Sequence, residues 1–295
     1  MESHSDIVKS LSSIRDYIRW AMGRFNQAQI FYGHGTDNAW DEAVNLIFHL
    51  LHLPHDADER VLDATLTAKE RDLIIRLIET RCHDKIPVAY LTGEAWFAGL
   101  CFKIDERVLI PRSPIAELIE LGFSPWVSTP INSVLDLCAG SGCIGLACAA
   151  HMDADADLAD ISTDALEIAR QNIAIQGLAN HVQLIQSNLF DSVTKRYDLI
   201  VSNPPYVDSH DLATMPLEYQ HEPKLALEAG DNGLLFAQEI LSKAADFLND
   251  EGSLILEVGN SWVALEDAYP DVPFTWIEFA RGGHGVCVFS KKELQ

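Results

Sequence analysis

Asn203-Pro204-Pro205-Tyr206 places a side-chain amide, two prolines and a phenol directly after the apolar run Tyr197-Asp198-Leu199-Ile200-Val201. These residue types suit the handling of a planar nitrogen. An amide or aromatic amino group has a delocalised lone pair, so reaction at nitrogen needs both N–H groups held by acceptors while the lone pair is aimed at an electrophile. The Asn203 side-chain oxygen and the Pro204 carbonyl are two such acceptors. Pro205 forces Pro204 into an extended conformation, and neither proline carries an N–H that would compete. Tyr206 either lies against the flat group or packs the wall of the site. Taken alone, the same run also reads as a turn closing a strand, since Asn-Pro commonly starts turns.

Upstream, Val134-Leu135-Asp136-Leu137-Cys138-Ala139-Gly140-Ser141-Gly142-Cys143-Ile144-Gly145 reads as strand, tight loop and helix. Gly140 and Gly142 carry no Cβ, so the backbone there can adopt positive φ and approach a ligand, with the helix N-terminal N–H groups facing it. Asp136 falls at the carboxyl end of the first strand, where open α/β sheets place their sites. Gly140, Gly142 and Gly145 match the G-x-G-x-x-G spacing, and Asp160 follows at the distance expected of a ribose-binding carboxylate. That spacing serves nicotinamide dinucleotides and S-adenosylmethionine (SAM) alike, or a purely structural turn. A nicotinamide oxidoreductase leaves Asn203 to Tyr206 without a task, which favours the methyl donor.

The two motifs together, D-x-x-x-G-S-G followed by N-P-P-Y, resemble the HemK-like protein-(glutamine-N5) methyltransferases. The tetrapeptide is also similar to that of adenine-N6 DNA methyltransferases. Leu109-Ile110-Pro111-Arg112-Ser113-Pro114 resembles the same family. After the arginine, the release-factor branch reads proline-glutamate-threonine, whereas Ser113-Pro114-Ile115-Ala116-Glu117 looks like the branch that modifies a large-subunit ribosomal protein. The resemblance spans nearly the whole chain and is strongest from Pro87 to Gly230.

It implies a seven-stranded, Rossmann-like SAM-dependent methyltransferase domain with a small N-terminal helical bundle and a linking β-hairpin. The implied catalytic residues are Asn203, Pro204 and Tyr206, with Pro205 beside them at the substrate. The implied cofactor residues are Asp136, Cys138, Ala139, Gly140, Ser141, Gly142, Asp160, Asn188, Leu189 and Asn203, with S-adenosylhomocysteine as product and no metal. The implied substrate is a basic large-subunit ribosomal protein, L3 in the first place, with release factors as the alternative. The reaction expected is in-line methyl transfer to a glutamine amide, in which positioning contributes on the order of 7 to 11 kcal/mol. Two departures stand out. Asn188 replaces the Asp usual in the family and is expected to weaken adenine binding without abolishing it, and Cys138 replaces the first loop glycine and is expected to demand negative φ.

Composition narrows the alternatives. With 21 basic against 44 acidic residues the formal charge is −23, which opposes free nucleic acid as a partner, because duplex binding depends on neutralising phosphates. A basic protein is attracted instead, and a non-catalytic acidic binder of such a protein is the remaining rival. No run of eighteen apolar residues occurs and Met1-Glu2-Ser3-His4-Ser5-Asp6 does not resemble a signal peptide, so a soluble cytoplasmic protein without a membrane partner is expected. Six cysteines without a C-x-x-C pair read as reduced core residues.

The elements that must position the motifs fall into three parts: residues 1–85 as a helical bundle, 86–112 as a β-hairpin linker and 113–295 as the methyltransferase domain. In the bundle, Ile7, Leu11, Ile14, Ile18 and Met22 recur at helical spacing. A second helix from about Asn38 to Leu53 has Trp40, Val44, Ile47, Phe48 and Leu51 as its stripe, and Thr67 with Glu70 makes a capping box for a third, with Leu73, Ile74, Leu77 and Ile78 apolar. By resemblance this bundle contributes to substrate recognition. His49, His52 and His55 read as surface histidines, since a metal needs further ligands and Pro54 breaks the helix. Val88 to Ile104, interrupted by Gly93 and Gly99, suits the hairpin, and Ser113 with Pro114 suits a helix start. Arg112 either touches substrate or pairs with a carboxylate. Strands and helices then alternate, as in a parallel sheet, with strands ending at Asp136, Asp160, Gln186 and Val201, and the long polar stretch from Val207 to Gly230 suits a lid or acceptor loop. Gly282-Gly283-His284-Gly285 reads as the turn of a final hairpin.

Overall fold

The computed structural model describes residues 4–54 and 56–295, with the side chains of residues 4 and 5 left aside. The chain divides into two compact units, residues 1–94 with 216–221, and residues 95–215 with 222–295.

The first unit is helical. The helical pattern at its start is two helices, α1 (His4–Ser10) and α2 (Ile14–Gln27). They are separated because Ser13 caps α2. Its hydroxyl accepts from the Asp16 N–H at 3.2 Å while the Asp16 carboxylate accepts from the Ser12 and Ser13 N–H groups at 3.0 Å. Ile14, Tyr17, Ile18, Ala21 and Phe25 form the buried stripe of α2. Asn38 caps α3 (Ala39–Leu50), whose buried face is Ala39, Ala43, Leu46 and Ile47, so Trp40 is exposed and not part of the stripe. The Thr67 and Glu70 capping box opens α4 (Ala68–Asp84), which buries Ile74, Ile75 and Ile78 and leaves Leu73 exposed. Arg81 of α4 is 1% exposed. Its guanidinium donates to Glu42 at 2.7 Å, to the Phe31 carbonyl at 3.1 Å and, more loosely, to Glu218 at 3.4 Å. Two carboxylates around one guanidinium let these charges remain out of water. Val88 to Leu91 is the short helix α5 (Val88–Thr92) instead of strand, bracketed by Pro87 and by Gly93 in the left-handed conformation.

In the second unit the hairpin proper is β1 (Glu94–Phe97, whose first residue closes the first unit) and β2 (Leu100–Lys103). Ala98 and Gly99 both have positive φ in its turn, 46° and 77°, as the twist of a two-residue hairpin requires. The N-cap of α6 (Ile115–Glu120) is Pro114 and not Ser113 as the sequence suggests; the Ser113 hydroxyl accepts from the Ile115 N–H at 3.1 Å one residue ahead of it. There follow β3 (Ser133–Leu137), α7 (Cys143–Met152), β4 (Asp155–Asp160), α8 (Thr163–Gln176), β5 (Val182–Gln186) and β6 (Tyr197–Ser202). After α9 (Ser209–Thr214) come α10 (Leu235–Phe247), β7 (Leu248–Glu257), α11 (Trp262–Ala268), β8 (Thr275–Trp276) and β9 (Val286–Ser290). The seven-stranded sheet has the order β5-β4-β3-β6-β7-β9-β8, with β3 to β7 parallel and β9 antiparallel to both neighbours.

The sheet alternates between two cores. On β3, Val134 packs with Leu146, Leu158 and Ala169, whereas Leu135 and Leu137 pack with Ile200, Ala237 and Ile240 of the opposite layer. Successive strands run outward from β3 to β5 and then return to β6 on its other side. The carboxyl ends of β3, β4 and β6 therefore share one edge at the topological switch point, where such sheets bind ligands.

Candidate active site at the carboxyl edge of the sheet

Period-two alternation puts Asp136 on the α7 side of β3. There Oδ2 accepts from the Gly145 N–H at 2.8 Å, while Oδ1 is buried without a partner among the described residues. Burial first, and the neighbouring Asp160 charge after it, push this carboxyl up to about 7, against the pull of the Gly145 N–H. A Cβ on Gly145 would overlap Leu158 and sit 2.9 Å from the Asp136 Cβ, so the third glycine of the motif serves close helix-to-strand packing. Gly142, with φ 78°, ends the turn and begins α7, its own missing Cβ facing Leu158 and Ala169. Gly140 differs. Its φ is 54° and nothing lies within 4 Å of where a Cβ would stand.

Cys138 adopts φ 59°, which overturns the expectation of negative φ. The turn needs a left-handed residue here whatever its side chain. Small neighbours and the Ala139 N–H bonded to the Ala159 carbonyl at 3.1 Å hold it so. Burial pushes the Cys138 thiol far up, so it is a neutral wall residue. All six cysteines are free.

Asp160, at the end of β4, ties the corner together. Its Oδ2 accepts from the Gly140 N–H and its Oδ1 from the Ser162 N–H, each at 2.8 Å. Burial raises its pKa, opposed by these backbone donors. Capping of α8 falls to Ser162, whose hydroxyl accepts from the Ala165 N–H at 3.2 Å, which leaves Asp160 oriented at the edge instead of consumed as a cap. Beyond β5, Ser187 folds the chain back. Its hydroxyl donates to the Leu189 carbonyl at 2.7 Å and accepts from the Ser192 N–H at 2.9 Å. This turn presents exposed Asn188 and buried Leu189, the latter at φ 45°.

These groups surround one open cavity at the carboxyl edge of the sheet. Cys138, Gly140, Asp160, Asn188, Leu189, Asn203 and Pro205 line it. Asp136, Ala139, Ser141, Gly142, Pro204 and Tyr206 do not. They lie beneath or beside its walls, Ser141 accepting through its carbonyl from Asn172 at 2.9 Å. The cavity also uses residues outside the expected cofactor and acceptor sets. Arg107, Val108 and Leu109 come from the segment before α6, Ile161 and Ala165 from the start of α8, Pro223, Leu225 and Ala226 from the long loop, and Phe236 from α10. Leu109 belongs to the run from Leu109 to Pro114 that carries the family resemblance, and that run is the sequence signal for the first group.

Arg112 is a carboxylate partner. Its two terminal nitrogens grip buried Glu222 at 2.6 and 2.9 Å, and Glu222 also accepts from the Ile110 N–H at 3.0 Å. The next residues of the loop, Pro223 to Ala226, are cavity wall. The base of the loop is closed by the Val207 N–H donating to the Leu227 carbonyl and the Ala229 N–H to the Val207 carbonyl, both at 2.9 Å.

Asn203 follows β6 directly. Ser202 is anchored by its hydroxyl to the Leu137 carbonyl at 2.8 Å, which fixes the strand end beside the glycine turn. No described residue donates a hydrogen bond to the Asn203 side chain or to the Pro204 carbonyl. Asn203 is half-buried and lines the cavity, whereas Pro204 is buried beside its wall. The phenol of Tyr206 turns to Glu257 at 3.4 Å.

Among the described residues no group of three or more His, Cys, Asp or Glu is placed to hold a metal ion. His49 lies 3.2 Å from Glu94, and His55 falls outside the described residues. No described helix is long and apolar enough to cross a membrane.

Residues 126–218 match the methyltransferase small domain family. The fold is similar to the crystal structure of the hMettl16 catalytic domain in complex with MAT2A 3′UTR hairpin 6, with a TM-score of 0.52 and 16% identity over 75% of this chain and 81% of that one. The chain is 48% identical over 297 residues to the ribosomal protein uL3 glutamine methyltransferase of Francisella tularensis subsp. tularensis, covering 99% of this chain and 95% of that protein. It is 47% identical over 289 residues to the enzyme of the same name from Neisseria gonorrhoeae, covering 97% of each. With such identity across almost its full length, the chain belongs to the ribosomal protein uL3 glutamine methyltransferase family.

Proposed function

We propose that this chain methylates the side-chain amide nitrogen of a glutamine in large-subunit ribosomal protein uL3, with SAM as donor. The observation that carries the reading is Asn203 on the wall of the cavity that the glycine turn and Asp160 also border, followed directly by buried Pro204, with no described residue donating to the Asn203 side chain. SAM, when bound, supplies an electrophilic methyl on a sulfonium. The cavity residues fit it: Gly140 leaves open space against the turn, Asp160 has lone pairs remaining for vicinal hydroxyls, and Asn188 with Leu189 offers an acceptor and an apolar face for the base.

Asn203 and Pro204 take one amide N–H each, which aims the nitrogen lone pair along the remaining direction. Pro205 keeps Pro204 extended and brings no competing donor, and Tyr206 closes the side of the acceptor site. The methylated amide is a strong acid and loses its proton to water, so no general base is required of the chain. Residues 1–85 are assigned to substrate recognition. The formal charge of −23 favours a basic protein partner over nucleic acid, and the cytoplasm, where ribosomal proteins meet their modifying enzymes, is the compartment proposed.

The test offers labelled SAM with purified uL3, with a release factor and with duplex DNA. The reading expects label on a single glutamine of uL3, located by mass spectrometry. Label on the release factor moves the substrate within the family. Label on adenine, or on none of the three, overturns the reading.

A further inference from the structure

We propose that Glu257, at the carboxyl end of β7, is a positioning residue for this reaction: together with Ser113 and Gly259 it seats the Tyr206 ring, and through Tyr206 it sets the Asn203-Pro204 acceptor pair. The inference rests on the proposed role of the Asn203 to Tyr206 segment and adds residues to which that segment alone assigns nothing.

Glu257 is 4% exposed and spends its two oxygens on two hydroxyls. Oε2 accepts from the Ser113 hydroxyl at the start of α6, and Oε1 from the Tyr206 phenol at 3.4 Å. The ring side of the seat is backbone. Gly259 has φ 46°, and a Cβ there would stand 2.6 Å from Tyr206 Cζ, so only glycine leaves room for the ring. The main chain of Tyr206 is held from the same loop, its carbonyl accepting from the Ser261 hydroxyl at 2.7 Å. Gly259 is fixed from behind by the glycine-rich turn. A Cβ on Gly285 would lie 2.8 Å from the Gly259 carbonyl carbon, and the Val258 N–H donates to the Gly285 carbonyl at 2.7 Å. Gly285 thus has a second task beyond turning a hairpin.

A carboxylate buried at this depth without a full ionic partner of its own is expensive. A structural site of this kind is more simply filled by an amide or an apolar residue, whereas a site that must fix two donors in one geometry uses an acceptor-only group. The charged groups around it are few. Arg112 favours the ionised form, but its guanidinium is already engaged by Glu222. His284 on the glycine-rich turn is bonded to Asn260 at 2.8 Å. Burial therefore dominates and pushes the Glu257 carboxyl up to about 7. Below that pH the protonated oxygen becomes a donor, and one of the two hydroxyls loses its acceptor.

The experiment measures kcat and SAM affinity for Glu257→Gln, Tyr206→Phe and the double variant, with kcat followed against pH. The proposal expects kcat to fall about tenfold in Glu257→Gln, equivalent to about 1.4 kcal/mol, with the SAM Kd by calorimetry within about twofold, because the seat is not in the cofactor cavity. Tyr206→Phe should lower kcat comparably, and the double variant should lose no more than the worse single one, the sign of coupling. The acidic limb of kcat near pH 7 should be absent in Tyr206→Phe. Asp136 titrates in the same range but is untouched by that variant. Additive losses, an unchanged kcat in Glu257→Gln, or a limb that persists in Tyr206→Phe overturns the proposal. If Glu257→Gln does not bind SAM, the pH profile of Tyr206→Phe decides alone. Full activity in Asn203→Ala, measured alongside, would instead sink the acceptor reading itself.

Discussion

Gly140 and Gly145 belong to one motif and do different work. Gly140 keeps a cavity wall bare, so Gly140→Ala is expected to weaken SAM binding. Gly145 is pressed against Leu158 and Asp136, so Gly145→Ala is expected to cost about 1–3 kcal/mol of stability through overpacking, read from the urea midpoint of the cofactor-free protein. Asn188 is the residue to change in the opposite sense. A neutral amide oxygen accepts from an amino group less strongly than a carboxylate does, so Asn188→Asp should tighten SAM severalfold by calorimetry. An unchanged or weaker affinity would mean that Asn188 does not meet the base. At this scale the corner itself was legible, since Gly140, Asp160 and Asn203 all come to one cavity. The conformation of Cys138 was not, since positive φ at a cysteine follows from how the turn closes against Ala159, which local sequence does not reveal.

Elements bring these residues together, and the Arg112 and Glu222 pair shows how. One arginine before α6 and one carboxylate in the loop after Tyr206 lock two cavity walls to each other with two short bonds. Removing the arginine takes from buried Glu222 its bidentate cationic partner, so Arg112→Met is expected to destabilise the protein, and Arg112→Lys only partly to restore stability because lysine cannot make the bidentate contact. Differential scanning calorimetry of the three proteins checks the order. The alternating strands and helices were legible from β3 to β6 because the central strands β3 and β6 are largely apolar and buried and α8 carries explicit caps at Ser162 and Gly177. Val88 to Leu91 was misread because its branched and aromatic residues favour a strand, while the deciding marks were Pro87 before it and Gly93 after it.

For the whole molecule, two buried carboxyls near the site set a pH dependence whose sign is definite. Asp136 and Glu257 hold their protons up to about pH 7 when folded, whereas in the unfolded chain such groups release them near pH 4. Their contribution to stability is full below about pH 4 and is lost as pH rises toward 7. Asp136→Asn should therefore flatten the decline in urea midpoint between about pH 5 and 7. The insertion of residues 216–221 into the first unit was not legible at all. It rests on Arg81 meeting Glu218 across a sequence separation of 137, and no local pattern announces a pairing that distant.

The central claim is that Asn203 acts on the acceptor nitrogen and not on the cofactor. It is tested most directly by Asn203→Ala, measured for SAM affinity by calorimetry and for methyl transfer to uL3 with labelled SAM. The account predicts a Kd within a fewfold of the parent protein and the loss of most methyl transfer. A parallel loss of both, or transfer that survives intact, would contradict it.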